Sequence, residues 1–158
     1  MRTAALLLLG LALAGCQSAV RQESAPVRAR FYLESADAAT GQVTLPQSSV
    51  HISVQPKPVF TEFDLVHVEI ARVELGPCLE FRFTRAAARD LYRLTVANQG
   101  RRLVLVVDGA PVGAQRTDQP LDHGVVRVFA EMPDSALPAL VTSLNKTSAA
   151  LQPAAIKR

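Results

Sequence analysis

The sequence predicts an α+β fold, in which an antiparallel-dominated sheet is covered on one face by two amphipathic helices. Short segments with apolar residues at every second position recur along the chain, as half-buried strands require. Two longer segments repeat their apolar residues with the 3.6-residue period of an amphipathic helix. One of them lies between predicted strands and the other near the end of the chain, an order typical of helices packed on one face of a sheet.

The first predicted elements are strands with alternating side chains. One lies around Phe31, and a second runs from residue 50 to 54 and ends before Pro56. Residues 37–41 are expected to form the turn that follows the first strand. Thr61 is the expected cap of a single helical turn.

A third strand begins at Val66, but its alternation changes phase before Val73 and Leu75. A β-bulge near Ala71-Arg72 would keep both apolar sets on one face of the sheet. Gly76 then turns the chain into a half-buried strand. The residues expected on the buried face of that strand are Leu79, Phe81 and Phe83.

The middle of the chain predicts a helix followed by a central strand. Thr84 is well placed to cap the helix, and Gly100 to end it. Five consecutive apolar residues, 103–107, indicate a strand that is buried on both faces or central in the sheet. Asp108-Gly109 is a strong hairpin-turn signal. The buried stripe of the helix is expected to contain Ala87, Ala88, Leu91, Leu94 and Thr95.

The C-terminal part predicts two more strands and the second helix. The strands are residues 111–116 and 125–130. The helix is expected to begin at Asp134 or Ser135, because Pro138 is tolerated only in a first turn. Its buried stripe is expected to contain Leu137, Leu140, Val141, Leu144 and Leu151.

The N-terminus has the parts of an export signal. Arg2 precedes an apolar run from residue 4 to 13, and small residues stand before Cys16. This run is shorter than the roughly 20 residues that span a bilayer. Leu13-Ala14-Gly15-Cys16 resembles the lipobox of signal peptidase II substrates, in which the cysteine carries the lipid. We expect removal of residues 1–15 and lipidation of Cys16; the alternative is an ordinary signal peptide with a chance cysteine.

The expected anchor also predicts a location and a domain division. Gln17, rather than aspartate, follows the cysteine, and the sorting rule of enteric bacteria then sends a lipoprotein to the outer membrane, facing the periplasm. Residues 16–29 are expected to form a flexible tether, because they are polar and aperiodic. The α+β domain is expected to span residues 30–152, with a C-terminal tail at 153–158.

Composition argues against a nucleic-acid-binding protein and against an internal disulfide. The chain of 158 residues has a formal charge of +3 but no Trp, and its Lys and Arg residues are not gathered into a nucleic-acid motif. We therefore expect no nucleic-acid partner. Cys78 is the cysteine that remains once Cys16 is lipidated, so no internal disulfide is expected. It lies in an apolar run and is interpreted as a small buried hydrophobe rather than a reactive thiol.

Residues 58–144 resemble the head subdomain of the first periplasmic domain of SecD and SecDF, subunits of the Sec export machinery. The matching segments, in order, are Val59–Leu65, Leu79–Thr84, Asn98–Gly109 and the helix after Met132-Pro133-Asp134. The resemblance implies that family's fold and a capacity to contact extended or unfolded polypeptide. The family's transmembrane helices have no counterpart before Arg158, so the resemblance does not carry the family's proton-driven motor activity.

Arg85, Arg89 and Arg93 recur at every fourth position and form one basic stripe on the first predicted helix. Such a stripe could meet an acidic protein partner or lipid head groups. The alternative is a solvated outer face on which Asp90 pairs with Arg93.

Other polar residues do not predict catalysis. The histidines His51, His67 and His123 lack the spacing of metal ligands, and two of them fall at outward strand positions. Ser48-Ser49 and Ser135 lack the context of a catalytic serine. Asp108 is explained as a turn residue. We therefore expect no enzymatic activity, no metal and no cofactor.

These observations predict a non-enzymatic envelope lipoprotein. Its domain is expected to bind a protein partner in the periplasm, in a process linked to protein export or outer-membrane upkeep. The alternative is a periplasmic carrier of a small ligand or lipid. A carrier would need a deep apolar pocket between the sheet and the helices.

Overall fold

The computed structural model describes residues 25–37 and 41–155, and it confirms the α+β class with antiparallel strands and two helices. Two short 3₁₀ turns, Glu62–Asp64 and Asp134–Ala136, also lie in these ranges. The helices are α1 (Arg85–Ala97) and α2 (Leu137–Ala155). The strands are β1 (Ala29–Leu33), β2 (Gly41–Thr44), β3 (His51–Val54), β4 (Leu65–Val73), β5 (Gly76–Phe83), β6 (Arg102–Val107), β7 (Ala110–Arg116) and β8 (Val125–Val128).

The described strands form three antiparallel sheets rather than one. Their orders are β1-β6-β7, β2-β3 and β4-β5-β8. The two three-stranded sheets meet beside β7 and β8, where the N–H of Glu131 donates to the carbonyl of Val112 at 2.7 Å. This contact joins the sheets without a ladder between them, a division that side-chain alternation does not encode.

The main core lies between the two three-stranded sheets and the helices. Phe31 of β1 packs edge-on against Phe81 of β5, with ring centroids 5.1 Å apart. Leu91 of α1 and Leu144 of α2 are buried in the same cluster. Both helices therefore bury residues of the predicted stripes in one cluster, which gives the domain a single main core.

The central strand β6 is buried on both faces, as its apolar run predicts. Leu103 and Leu105 face the main core, whereas Val104 and Val106 face a second cluster. Ile52 on the β2-β3 hairpin belongs to that second cluster. β2 was not predicted, because its sequence Gly-Gln-Val-Thr contains one apolar residue and therefore no alternation.

The predicted bulge near Ala71-Arg72 is wrong. β4 and β5 pair without interruption from His67 to Val73, and the irregularity lies between Leu65 and His67. The bulge there leaves Leu65 in the core and Val66 49% exposed. Leu75 is not on the buried face either: it lies in the tight turn before Gly76, where φ is +115°, and is 84% exposed. Turn geometry therefore overrides the apolar pattern at this hairpin.

The predicted caps at Thr84 and Thr61 and the predicted turn at Asp108-Gly109 form, whereas the predicted turn at residues 37–41 lies largely outside the described residues. The hydroxyl of Thr84 accepts a hydrogen bond from the N–H of Ala87 at 3.3 Å. At the short 3₁₀ turn, the N–H of Thr61 donates to the Asp64 carboxylate at 2.8 Å. This is the bond of a capping box in which the third residue of the turn caps the backbone of the residue that precedes the turn. Asp108 and Gly109 have φ values of 48° and 86°, the left-handed conformation that a two-residue hairpin turn requires.

The expected signal peptide at 1–15 and Cys16 lie outside the described residues. At the start of the described part, the N–H of Val27 donates to the Thr147 hydroxyl at 2.9 Å and so fastens the chain entry to α2. Within the described ranges, neither helix is both long and apolar enough to cross a membrane.

Candidate functional site

An open groove of about 890 Å³ lies beside the β4-β5 hairpin, and we call it the hairpin groove. Leu75 from the hairpin turn and Phe129 after β8 line it, and they are 84% and 36% exposed. Leu121 and Gln119 come from the loop that precedes β8, and Gln115 comes from β7. The groove thus combines exposed apolar side chains with amides that can donate and accept hydrogen bonds.

A cluster of charged residues borders the hairpin groove on the outer face of the β4-β5-β8 sheet. Arg127, which also lines the groove, places Nε 2.9 Å from Oε2 of Glu80. Arg82 lies 3.1 Å from the same carboxylate and 2.9 Å from that of Glu69. Glu80 is buried, whereas both arginines are more than half exposed. The carboxylate therefore fixes the position of Arg127 at the groove.

The pKa of Glu80 reflects this arrangement. The hydrogen bond from Arg127 lowers the pKa of the carboxyl, and it outweighs the burial that would raise it. A carboxyl whose pKa is lower in the folded state stabilises the fold above its unfolded pKa, and this contribution is lost as the pH falls through the folded value. The charge cluster is therefore intact at neutral pH and weakens in acid.

The predicted basic stripe lies on the outer face of α1. All three arginines, Arg85, Arg89 and Arg93, are exposed. Arg93 lies 3.7 Å from Asp90, which is the ion pair expected if the stripe is a solvated outer face. Tyr92, 46% exposed, stands beside them. The geometry thus brings the three arginines to one surface, separate from the residues that line the hairpin groove.

Ser48 and Asp108 have structural partners. The Ser48 hydroxyl donates to Glu131 at 2.6 Å, and the N–H groups of Gln47 and Ser48 donate to the same carboxylate. Burial alone would raise the pKa of Glu131, but these hydrogen bonds lower it. Asp108 accepts a hydrogen bond from the N–H of Arg28 at 2.8 Å, which ties its turn to β1. These residues therefore stabilise turns.

The histidines and the cysteine are also accounted for by their positions. His51 shares a 2.8 Å hydrogen bond with the Thr44 hydroxyl, and His67 and His123 lie on the surface beside carboxylates. Within the described part of the chain, no three His, Cys, Asp or Glu side chains are grouped as metal ligands would be. Cys78 is fully buried, and burial raises the pKa of its thiol, as expected of a small hydrophobe.

The sequence did not predict the hairpin groove. Its lining comes from the β4-β5 turn, β7, the loop before β8 and the end of β8, and these segments are distant along the chain. The apolar alternation assigns Leu75 to a buried face, so it misses the exposed position that marks the groove. The useful signal is the pair Leu75-Gly76, because glycine at a hairpin turn places the preceding residue in the turn.

Three solved structures of SecDF are similar to this chain. A structure of SecDF in a super-membrane-facing form matches 76% of the chain with a TM-score of 0.61 and 18% identity. A structure described as a membrane component that enhances protein export matches with the same values, and SecDF from Thermus thermophilus matches 78% with a TM-score of 0.53. The chain spans 19% and 20% of two of these proteins and 62% of the other.

No family model and no curated protein matches the sequence. The solved structures share the arrangement of strands and helices at an identity of 18%, which establishes the fold. The resemblance that the sequence motifs predicted is thereby confirmed at the level of fold. The chain contains a domain with a SecDF-like fold.

Proposed function

We propose that this protein is a non-enzymatic lipoprotein of the bacterial envelope, whose SecDF-like domain binds a protein partner through the hairpin groove. The partner is met in the periplasm, in a process linked to protein export or outer-membrane upkeep. The observation that carries the proposal is the open groove, lined by exposed Leu75 and Phe129, on a domain whose fold is that of an export component.

The chemistry of the hairpin groove suits a protein partner. Protein interfaces place apolar anchors at the centre and a polar rim around them. Leu75 and Phe129 supply the apolar part, while Gln115, Gln119 and Arg127 supply the rim. Because Glu80 holds Arg127 in place, less side-chain entropy is lost when a partner binds.

The basic stripe on α1 provides a second contact in this proposal. Arg85 and Arg89 have no ion pair among the described residues, so their charge is available to an acidic partner. Exposed charges of this kind steer the approach of a partner more than they add affinity. The stripe is therefore assigned a role in the rate of association.

The carrier alternative receives less support. It needs an apolar cavity between the sheets and the helices, where Leu79, Phe81 and Leu91 are fully buried side chains of the main core. The hairpin groove lies outside this core and is open to solvent. An open groove suits a polypeptide surface better than it suits a lipid that must be shielded from water.

Site-specific photocrosslinking tests the protein-binding role. A photoreactive phenylalanine analogue at Leu75 or at Phe129 should capture the same envelope protein in living cells. Phe63 is the matched control, since it is 64% exposed and does not line the groove. Capture of no protein from either groove position, or equal capture from Phe63, would count against the proposal.

A cysteine substitution tests the anchor. Cys16→Ser should abolish fatty-acid labelling and release the protein from the membrane fraction, because the lipidated thiol is lost. Cys78→Ala is the control and should keep both the label and the membrane retention. A Cys16→Ser protein that remained in the membrane fraction would refute lipid anchoring.

A further inference from the structure

Side chains of α2 hydrogen-bond to the outer edge of β4 over only part of its length. The side chain of Asn145 accepts a hydrogen bond from the N–H of Val68 at 2.8 Å and donates to the carbonyl of Val68 at 2.7 Å. Gln152 donates to the carbonyl of Leu65 at 2.9 Å. These two amides occupy the backbone groups that a neighbouring strand would otherwise use.

The direction of the backbone N–H and C=O of Val68 determines the direction of the same groups in the following residues of β4. Since Val68 directs its N–H and C=O away from β5, the alternate residues Ile70 and Arg72 direct theirs the same way. The pairing of Val73 with Gly76 across a two-residue turn fits this register. Ile70 and Arg72 therefore present two donors and two acceptors along the free edge.

Among the described residues, no side chain or backbone group bonds to these outward groups of Ile70 and Arg72. One turn before Asn145, α2 carries Val141, whose side chain has no hydrogen-bonding group. Side-chain hydrogen bonds from α2 to the edge of β4 thus end at Val68, and the described residues supply no backbone partner to the edge beyond it.

We propose that an extended segment of another polypeptide adds to β4 as a strand, with its backbone bonded to Ile70 and Arg72. The inference rests on the proposed protein-binding function and names the form in which the partner binds. Main-chain hydrogen bonds supply affinity in strand addition, while alternate side chains supply selectivity.

The charge of Arg72 indicates whether the added strand comes from a different protein or from a second copy of this chain. Arg72 is exposed and has no ion pair among the described residues. Antiparallel pairing of two copies at this edge would place the Arg72 side chains opposite or diagonal to each other, and like charges across strands destabilise a pair. The occupant is therefore a segment of a different protein, with an acidic side chain opposite Arg72.

The test uses the full chain in detergent and a short synthetic peptide of alternating Val and Thr with one central Glu. Arg72→Pro removes one outward N–H without removing a β4-β5 hydrogen bond, as edge strands tolerate. Affinity for the peptide, measured by NMR titration, should fall about tenfold or more, because a main-chain hydrogen bond is lost and the proline ring faces the added strand. Arg72→Ala, which keeps the backbone groups, should weaken binding only about two- to threefold.

A second probe leaves the protein unaltered. The same peptide with alternate amides N-methylated should not bind, because it keeps its side chains but lacks the donors. Binding of the methylated peptide, equal binding to Arg72→Pro, or no binding of the parent peptide to the unaltered chain would overturn the inference. If Arg72→Pro loses its fold by circular dichroism, the methylated peptide decides.

Analytical ultracentrifugation tests whether a second copy of this chain occupies the β4 edge. A concentration-dependent dimer of the unaltered chain that Arg72→Pro abolishes would assign the edge to a second copy and overturn the proposal. Crosslinks from Leu75 that persist unchanged in Arg72→Pro, together with unchanged peptide affinity, would leave the protein-binding function standing while refuting strand addition.

Discussion

Replacing Phe31 with alanine should lower the free energy of unfolding by about 3–5 kcal/mol. Phe31 is fully buried, and its ring contacts those of Phe81 and Phe83 at centroid distances of 5.1 and 5.5 Å. It joins β1 of one three-stranded sheet to β5 of the other. The substitution removes buried apolar surface and leaves a cavity that rigid strands cannot fill. Urea denaturation of the two proteins would measure the change.

Phe63→Ala is the matched control for Phe31. The same side chain is removed, but Phe63 is 64% exposed, so the free energy of unfolding should change by less than about 0.5 kcal/mol. The loss at Phe31 is large compared with the roughly 5–15 kcal/mol of a typical domain. Equal effects at the two positions would show that Phe31 does not join the sheets as described.

Gly113→Ala should destabilise the domain by roughly 2–3 kcal/mol. A Cβ at Gly113 would clash with the backbone oxygen of Phe129 and would lie 2.8 Å from a methyl group of Val128. Backbone atoms cannot rotate away, so β7 and the end of β8 must separate. Thermal and urea denaturation would measure the loss, and the altered position of Phe129 should also weaken crosslinking from the hairpin groove.

Gly41→Ala is the matched control for Gly113. A Cβ at Gly41 meets nothing nearer than 4.0 Å, and Gly41 has no positive φ. Alanine in a strand costs less conformational entropy than glycine, so this variant should be as stable as the parent or more stable by about 0.5–1 kcal/mol. A Gly113→Ala protein as stable as Gly41→Ala would contradict the close approach of the two sheets.

The hairpin groove and the free edge of β4 are two features of one element. Both involve the β4-β5 hairpin: Val73 and Leu75 line the groove, while Ile70 and Arg72 form the edge. The turn is exposed because a two-residue connection leaves Leu75 no route to the core. A hairpin that is fixed at its base by Asn145 and exposed at its tip suits a recognition element.

Local signals predicted most of the elements well. Thr84, Asp108 and Gly109 act through groups within a few residues of themselves, so caps and turns can be inferred from short stretches of sequence. The apolar run of β6 predicted burial on both faces, because few other strand environments tolerate five apolar residues in succession.

The same reasoning failed where one local rule competed with another. Alternation placed Leu75 on a buried face and required a bulge at Ala71-Arg72, whereas the turn before Gly76 set the register of the whole hairpin. The irregularity in β4 lies instead at Val66, close to the 3₁₀ turn at Glu62–Asp64. The apolar pattern counts side chains, but register depends on backbone pairing with a partner strand.

By itself, the sequence determined the α+β class, the helices and their buried stripes and the main turns, because each depends on patterns within short segments. The order of such segments along the chain carried the resemblance to SecDF. The division into three sheets, the hairpin groove and the open edge at Ile70 and Arg72 were decided only by the tertiary structure. Asn145 and Val68 illustrate the reason: they are 77 residues apart, and their hydrogen bonds exist only because α2 packs along β4. Contacts of this range depend on the packing of whole elements, which periodicity does not specify.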